Sequence, residues 1–278
     1  MGDAPRLLRR LGLRPRKRLG QHFLVDGRAL DRIVASAELT PDDAVLEIGA
    51  GLGTLTLALA AAAGRVVAVE VDPRLVEVLE ERLSAAENVR LVHGDILAFD
   101  PADLMEGQPY KVVANLPYGI TAAVLRHLLE ARLPPERMVV TVQREVAERI
   151  VARGGRMSLL AVSVQFYGRP EILFRLKPGA FYPPPAVESA VVRIDRHARP
   201  PVPVKDVEWF FRVVRAGFSQ PRKQLRNSLA AGLGIEASEA RSALQRAGLD
   251  PRLRAERLGL EEWARLADAL AQGAGRGA

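Results

Sequence analysis

Cysteine is absent from the 278-residue chain, and histidine occurs only four times. The lack of cysteine excludes disulfides, thiolate zinc sites, iron–sulfur clusters and cysteine nucleophiles. The histidines are His22, His93, His127 and His197, and no two of them are close in the sequence. A helical two-histidine metal site is therefore unsupported, and we expect no metal in the chemistry.

Long hydrophobic runs are missing as well. The longest, Leu55–Ala63, is too short to span a bilayer, and the charged first residues lack the continuous apolar core of a signal peptide. We expect a cytoplasmic protein that does not enter a membrane. With 48% hydrophobic residues, the chain can bury a sizeable core, and its length allows a large domain plus a small one.

The net charge of +7 is concentrated at the two ends of the chain. Residues 1–28 carry eight Lys or Arg against two acids, and residues 199–278 carry fourteen against nine, whereas 29–198 carry eighteen against twenty-two. Basic ends favour a polyanionic partner such as nucleic acid. Arginine outnumbers lysine by thirty-five to five, which a GC-rich genome also explains, so charge alone leaves both explanations open.

The periodicity changes along the chain and divides it into regions. Strands alternate with helices over 44–153, which predicts a parallel sheet covered by helices on both faces. Further strands are predicted at 159–166, 171–176 and 188–194. After the Pro-rich segment 199–203, only helices are predicted, over 205–231, 236–247 and 260–272. We therefore predict an α/β fold with three regions: a basic arm (1–26), a sheet domain (27–198) and a small all-helical domain (199–278).

The most informative stretch is a glycine turn after the first sheet strand. Gly49, Gly51 and Gly53 give the spacing G-x-G-x-G, and Glu47 precedes the turn by two residues. A dinucleotide fingerprint would need its third glycine at Thr54. The acid before the turn suits a cationic cofactor, as in Rossmann-like S-adenosylmethionine-dependent methyltransferases. A ligand-free strand–helix turn would show the same glycines.

Two further acids end the next two strands. Glu70 follows the second strand, where a carboxylate can accept both hydroxyls of a ribose. Asp95 follows the third strand, where it can accept from an adenine amino group. Singly, each is an ordinary strand-end residue. Because parallel strands end at one edge of the sheet, together they predict one cofactor site.

The fourth strand ends in Asn115-Leu-Pro-Tyr118, a turn typical of amino methyltransferases. An exocyclic amine on a base is a poor nucleophile because its lone pair is delocalised. If the Asn115 side-chain oxygen and the Leu116 carbonyl accept its N–H groups, the lone pair can point at a methyl donor. Pro117 stiffens the turn and Tyr118 can stack on the base. A plain turn uses the same residue types.

Taken together, these segments make the chain resemble the small-subunit ribosomal RNA adenine N6-dimethyltransferase family over nearly its full length. The segments that carry the resemblance are Arg16-Lys-Arg-Leu-Gly-Gln-His-Phe-Leu24, Leu46-Glu-Ile-Gly-Ala-Gly-Leu-Gly-Thr-Leu-Thr56, Val69-Glu-Val-Asp72, Gly94-Asp95, Asn115-Leu-Pro-Tyr118, Phe181-Tyr-Pro-Pro-Pro-Ala-Val-Glu-Ser189 and Phe218-Ser-Gln-Pro-Arg-Lys223.

The resemblance implies a pocket for S-adenosylmethionine and a defined RNA substrate. The implied cofactor residues are His22, Leu24, Gly49, Gly51, Glu70, Asp95 and Asn115. The implied reaction is the transfer of two methyl groups to each of two adjacent adenosines in the 3′-terminal hairpin loop of 16S rRNA. His22 stands where the family usually has Asn; an imidazole can still donate or accept one hydrogen bond, and backbone contacts are unaffected.

RNA contacts are expected from an aromatic residue and from both basic ends. Phe181, on a Pro-rich loop, could complete a base sandwich with Tyr118, or it could be a core aromatic. The expected phosphate contacts are Arg16, Lys17, Arg18, Arg222, Lys223 and Arg226. Nothing in the sequence indicates an obligate oligomer, and we expect a monomer.

Three other functions compete with this interpretation. One is the 23S rRNA adenine N6-methyltransferase of the macrolide-resistance type, which tends to have Ile where this chain has Leu116. A second is a non-catalytic nucleic-acid-binding protein of the same fold, which the intact Glu47, Glu70, Asp95 and Asn115 argue against. The third is a nicotinamide oxidoreductase, which Thr54 argues against.

Changing Arg222, Lys223 and Arg226 together to Gln tests the phosphate contacts of the C-terminal region. If they act by counterion release, RNA affinity falls by a similar factor on all sequences. The slope of log K against log salt then flattens by roughly 0.7–0.9 per lost contact. Filter binding over a salt series measures this, with cofactor affinity as the unchanged control. An unmoved slope would assign these charges to arginine bias alone.

Overall fold

The computed structural model describes residues 4–274, with the side chains of residues 5–272, and divides the chain into two compact units. The first unit comprises the chain up to Glu148 together with Arg169–Arg196. The second comprises Arg149–Gly168 and the chain from His197 onward. Residues 149–168, predicted as part of the sheet domain, group in the structure with the C-terminal helices.

Nine strands are present in the described chain. They are β1 (Phe23–Leu24), β2 (Ala44–Ile48), β3 (Arg65–Glu70), β4 (Val89–His93), β5 (Lys111–Asn115), β6 (Arg137–Gln143), β7 (Gly168–Leu176), β8 (Phe181–Tyr182) and β9 (Ser189–Arg196). Seven form one sheet in the order β4-β3-β2-β5-β6-β9-β7, and β1 pairs with β8. Strands β2 to β6 run parallel, and β9 is antiparallel to β6, which confirms the predicted α/β sheet.

The helices of the first unit follow the predicted alternation. They are α1 (Ala4–Arg10), α2 (Gly27–Ser36), α3 (Thr54–Ala60), α4 (Pro73–Arg82), α5 (Pro101–Leu104), α6 (Thr121–Leu129) and α7 (Arg144–Ile150), which ends just past the boundary of the unit. Strand β3 is buried from Val66 to Glu70, as expected for a parallel strand covered on both faces. Strand order reverses between β2 and β5, which is where open α/β sheets bind ligands.

The basic arm is part of the first unit. Leu7 and Leu8 of α1 are buried in one cluster with Phe23, Leu52 and Leu75. The arm therefore packs on Leu52, within the turn between β2 and α3, and on the start of α4.

The second unit is helical. Its helices are α8 (Leu159–Tyr167), α9 (Val207–Phe218), α10 (Leu225–Leu233), α11 (Ala237–Arg246) and α12 (Leu260–Ala274). The predicted helix over 205–231 is two helices, separated at residues 219–224. Phe166, Phe210, Phe211 and Trp263 are buried at the centre of this unit.

The strand predicted over 159–166 is wrong, because this segment forms helix α8. Its apolar run is buried along most of its length, and for a short run of that kind periodicity does not separate a strand from a helix. The missed signal is Ser158, whose hydroxyl accepts from the Ala161 backbone N–H at 3.1 Å and caps the helix.

Within the described part of the chain, every helix is too short or too polar to cross a lipid bilayer.

Candidate active site

One pocket lies at the carboxyl ends of β2, β3 and β5. Most of the predicted cofactor and catalytic residues line it: His22, Leu24, Gly49, Gly51, Glu70, Asn115, Leu116, Pro117 and Tyr118. The sheet supplies them because the ends of neighbouring parallel strands meet at the reversal of strand order. The arm supplies a further wall, over residues 19–24. Asp95 and Phe181 are not part of this lining.

The glycine turn has the backbone that its sequence predicts. Gly49, Gly51 and Gly53 have φ of 75°, 61° and 77°, in the left-handed region that side chains disfavour. A Cβ on Gly51 would lie 3.2 Å from the ring of Phe23. The turn therefore needs glycine both for its dihedral angles and for its approach to the arm.

The carboxylate of Glu70 fixes this turn. Its Oε2 accepts from the Gly51 backbone N–H at 2.8 Å, and its Oε1 accepts from the N–H groups of Val71 and Asp72 at 3.0 and 2.8 Å. Burial raises the pKa of Glu70, and these three hydrogen bonds oppose the rise. Oε1 already accepts two hydrogen bonds and Oε2 only one, so Oε2 is the atom that can also accept from a hydroxyl group of a ligand.

Glu47 lies beneath the turn and is 1% exposed. Burial raises its pKa to about 8; the Thr56 hydroxyl works against this rise and the charge of Glu70 adds to it. Among the described residues, its Oε2 has no hydrogen-bond partner. A cation bound next to this unpartnered carboxyl would favour its charged form, so the pocket fits a ligand that carries positive charge. The pocket therefore fits S-adenosylmethionine, whose sulfonium and amino groups are cationic.

The Asn115–Tyr118 turn is held from two sides. Asn115 Nδ2 donates to the His22 carbonyl at 2.8 Å, so Oδ1 is the amide atom left to accept from a substrate. The Tyr118 hydroxyl is hydrogen-bonded to Ser189 Oγ at 2.5 Å, and burial raises the pKa of Tyr118. Leu116 N–H donates to the Thr141 carbonyl at 3.1 Å. These contacts fix the turn before any substrate binds.

His22 has a role that the sequence analysis did not foresee. Its Nδ1 is 2.7 Å from the Pro183 carbonyl, and its ring stacks on Tyr118 with centroids 5.5 Å apart and planes inclined by 25°. The imidazole therefore joins the arm to the 181–189 loop and to the aromatic ring expected to receive the base. The sequence feature that could have indicated this role is the histidine at position 22, where the family usually has Asn.

Two predicted residues lie elsewhere than expected. Asp95 is exposed and caps a short 3₁₀ helix, where its Oδ1 accepts from Leu97 N–H at 3.0 Å. Phe181 is only 3% exposed and packs in the core with Leu176 and Val191, because β8 pairs with the arm and carries its ring inward. The expectation that Phe181 presents a free face to a base is not met; the neighbouring Tyr182 is 37% exposed.

The six basic residues predicted to contact RNA phosphates differ in their exposure and in their partners. Arg16 is committed to an ion pair with Asp72 at 3.1 Å, whereas Lys17 and Arg18 are exposed. In the second unit, Arg222 and Lys223 are exposed in the connection between α9 and α10. Arg226, at the start of α10, is half-buried, and its Nε has no partner within the described chain.

Asp72 and Gln21 were missed as functional candidates. Asp72 is completely buried, and it accepts from Gln21 Nε2 at 2.9 Å and from Arg74 Nη2 at 2.7 Å. An Asp directly before a Pro that opens a helix is a capping signal, and Asp72 does cap α4. Its long-range partners in the arm could not be deduced from that local pattern.

A mostly parallel sheet with this pocket at its strand reversal defines an S-adenosylmethionine-dependent methyltransferase of the Rossmann-like class. Within that class, the family model described as ribosomal RNA adenine dimethylase matches residues 12–272, and the chain belongs to this family.

Curated relatives agree over nearly the whole chain. The ribosomal RNA small subunit methyltransferase A of Dehalococcoides mccartyi (strain ATCC BAA-2100) is 49% identical over 268 residues, covering 96% of this chain and 92% of that protein. The protein of the same name from Moorella thermoacetica is 46% identical over 275 residues, covering 95% of each.

Two solved structures share the fold over nine tenths of the chain. The 23S rRNA methyltransferase ErmE is 33% identical with a TM-score of 0.69, covering 90% of this chain and 100% of that one. A dimethyladenosine transferase from Plasmodium falciparum has a TM-score of 0.76 at 22% identity, covering 91% and 98%. The second likeness bears on the fold alone.

Glu70→Ala is expected to weaken S-adenosylmethionine binding by roughly 1.5–3 kcal/mol, the cost of losing charged hydrogen bonds. Isothermal titration calorimetry measures the change. Glu77→Ala, on the exposed side of α4, is the matched control and should bind normally. Unchanged affinity in Glu70→Ala would show that the ribose is held by other residues.

Glu47→Gln is expected to flatten the pH dependence of stability. The folded protein keeps a proton on Glu47 between the ordinary pKa of 4.5 and about 8, whereas the unfolded chain has lost it. Stability therefore falls as pH rises through this window, and a neutral Gln removes that contribution. Urea unfolding across the same pH range measures it. Parallel curves for the two proteins would mean that Glu47 is ionised in the folded state.

Proposed function

We propose that this protein transfers methyl groups from S-adenosylmethionine to N6 of two adjacent adenosines, dimethylating each, in the 3′-terminal hairpin loop of 16S rRNA. The observation that carries the proposal is the Asn115–Tyr118 turn, which shares one pocket with the glycine turn and Glu70. Relatives that are 46–49% identical and are named small subunit methyltransferases support the choice of RNA.

The residues of the pocket would act on the amine rather than on the methyl donor. S-adenosylmethionine supplies a sulfonium methyl group. Asn115 Oδ1 and the Leu116 carbonyl accept the two N–H bonds, which directs the nitrogen lone pair out of the base plane. Transfer would form the N–C bond of the amine as the S–C bond of the bound cofactor breaks, and the alkylated amine would then lose its proton to water or a carbonyl. No strong general base is required, and positioning supplies most of the rate.

The target base would stack on Tyr118. Its ring is fixed by the bond to Ser189 and by the stack with His22, so little ordering is needed when the base arrives. A loop adenosine can leave its stack at modest cost. Phe181 remains the family's aromatic at this position, but its burial requires the loop to open before a base could contact it.

The RNA partner would be held mainly through phosphates, by Lys17, Arg18, Arg222, Lys223 and Arg226. We expect the protein to act as a monomer on the small ribosomal subunit or its precursor, and in the cytoplasm, where that subunit is assembled.

A 23S rRNA substrate is the second candidate, because ErmE is 33% identical. The small subunit relatives are more similar, at 46–49%. Incubating the protein with labelled S-adenosylmethionine and either RNA, and then mapping the modified positions, decides between them. Dimethyladenosine at the paired positions of the 16S hairpin is expected; label on 23S RNA alone would overturn the proposal.

Asn115→Ala should reduce methyl transfer by roughly 10²–10³-fold, as expected for loss of a preorganised polar group, and leave most of the RNA affinity. Single-turnover methylation and filter binding separate the two effects. Gln108→Ala, an exposed amide, serves as the control. Near-normal turnover in Asn115→Ala would remove this residue from the chemistry.

A further inference from the structure

One wall of the cofactor pocket is made by an arm segment, residues 16–24, which we call the strap. Residues 19–24 of the strap line the pocket. Its C-terminal end is held by the pairing of Phe23 with Tyr182 and of Leu24 with Phe181. Its middle is held by the bond from Asn115 Nδ2 to the His22 carbonyl. These two attachments tie the strap to β8 and to the end of β5.

A buried carboxylate, that of Asp72, holds the N-terminal end of the strap. Asp72 is completely buried; its Oδ1 accepts from Arg16 Nη1 at 3.1 Å and its Oδ2 from Gln21 Nε2 at 2.9 Å. Arg74, on α4, donates to both oxygens of the same carboxylate, from Nε at 3.1 Å and from Nη2 at 2.7 Å. The hydrogen bonds from Arg74 and Gln21 lower the pKa of Asp72 to about 2, so the group is charged at any working pH.

Asp72 is also hydrogen-bonded to Glu70, the residue whose carboxylate is expected to hold the ribose of the cofactor. The backbone N–H of Asp72 donates to Glu70 Oε1 at 2.8 Å, and Glu70 Oε2 accepts from Gly51 N–H at 2.8 Å. A continuous set of hydrogen bonds therefore runs from Arg16 and Gln21 through Asp72 and Glu70 to the glycine turn. A displacement of Asp72 alters both the wall of the pocket and the group expected to hold the ribose.

We propose that Asp72 is a positioning residue that couples closure of the strap to cofactor binding, with Arg16 as its partner on the strap. Arg16 thus acts on the cofactor pocket through Asp72 rather than on RNA phosphates. The part of the inference that concerns ligand affinity rests on the proposed function. By linkage, a cofactor that binds better to the closed strap also closes it, and by the same factor.

Arg16→Gln and Arg74→Gln form a matched pair, because each removes one cation from the same carboxylate and only Arg16 belongs to the strap. Hydrogen exchange by mass spectrometry is followed over residues 19–24 of the full-length protein without cofactor. We expect Arg16→Gln to speed this exchange several-fold and Arg74→Gln to leave it near wild type. Calorimetry with S-adenosylmethionine should show roughly five- to twentyfold weaker binding for Arg16→Gln.

Unchanged strap exchange in Arg16→Gln would overturn the proposal, and so would equal effects of the two variants, since Asp72 would then act only within α4. Asp72→Asn should speed strap exchange and weaken S-adenosylmethionine binding more than Arg16→Gln does. If Asp72→Asn does not fold, the comparison of Arg16→Gln with Arg74→Gln still tests the proposal. Exchange without cofactor tests the attachment by itself. A wild-type protein that does not bind S-adenosylmethionine, but whose strap loosens in Arg16→Gln, would refute the proposed function and leave only the attachment of the strap to Asp72 supported.

Discussion

The carboxylate of Glu70 is the interaction on which the geometry of the pocket depends. It ends β3, yet its three hydrogen bonds go to the glycine turn after β2 and to the entry into α4. Backbone donors at such turns have no strand or helix partner, and a buried one left unpaired would cost about 1–3 kcal/mol. One side chain thus satisfies the turn and fixes the distance between two strand ends.

Three acids near this point are held in different electrostatic states. Burial raises the pKa of Glu47 and of Glu70, whereas hydrogen bonds from Arg74 and Gln21 lower that of Asp72. Asp72 has its own cations, so its charge is already compensated. In the described chain no cation offsets the burial of Glu47, and a cation in the pocket would favour its charged form. The pocket is therefore suited to a positively charged ligand and disfavours the pyrophosphate of a dinucleotide.

The parts of the fold that local sequence patterns determine could be predicted. Strand β2 and the glycine turn follow from a short apolar run and from glycines at positions that need positive φ. Helix α8 could not, because a run that is buried on nearly all sides has neither helical nor alternating periodicity. Only the capping Ser158 distinguished the two, and a single cap is weak evidence against an apolar run.

In the candidate site, too, some residues could be assigned from local sequence patterns and others could not. Gly49, Glu70 and Asn115 could be assigned because the ends of parallel strands must meet. The environments of Arg16 and Phe181 depend on where the arm lies, and no local pattern encodes the 56-residue separation between Arg16 and Asp72. A surface cation and a partner of a buried carboxylate have the same sequence signature. Phe181 is buried for a related reason, since the arm strand β1 pairs with β8.

The arm therefore connects two requirements of the proposed reaction. Placing two methyl groups on each of two adenosines needs repeated replacement of spent cofactor, while the amine must be held in one geometry each time. The sheet ends and the Asn115 turn are rigid and can supply that geometry. The strap is attached by a few side-chain bonds and a two-residue strand, so it is the wall that opens at least cost. When the strap opens, the turn loses the contacts of His22 with Asn115 and Tyr118. It keeps the hydrogen bonds of Leu116 to Thr141 and of Tyr118 to Ser189, so most of the site that positions the base stays in place while the cofactor leaves.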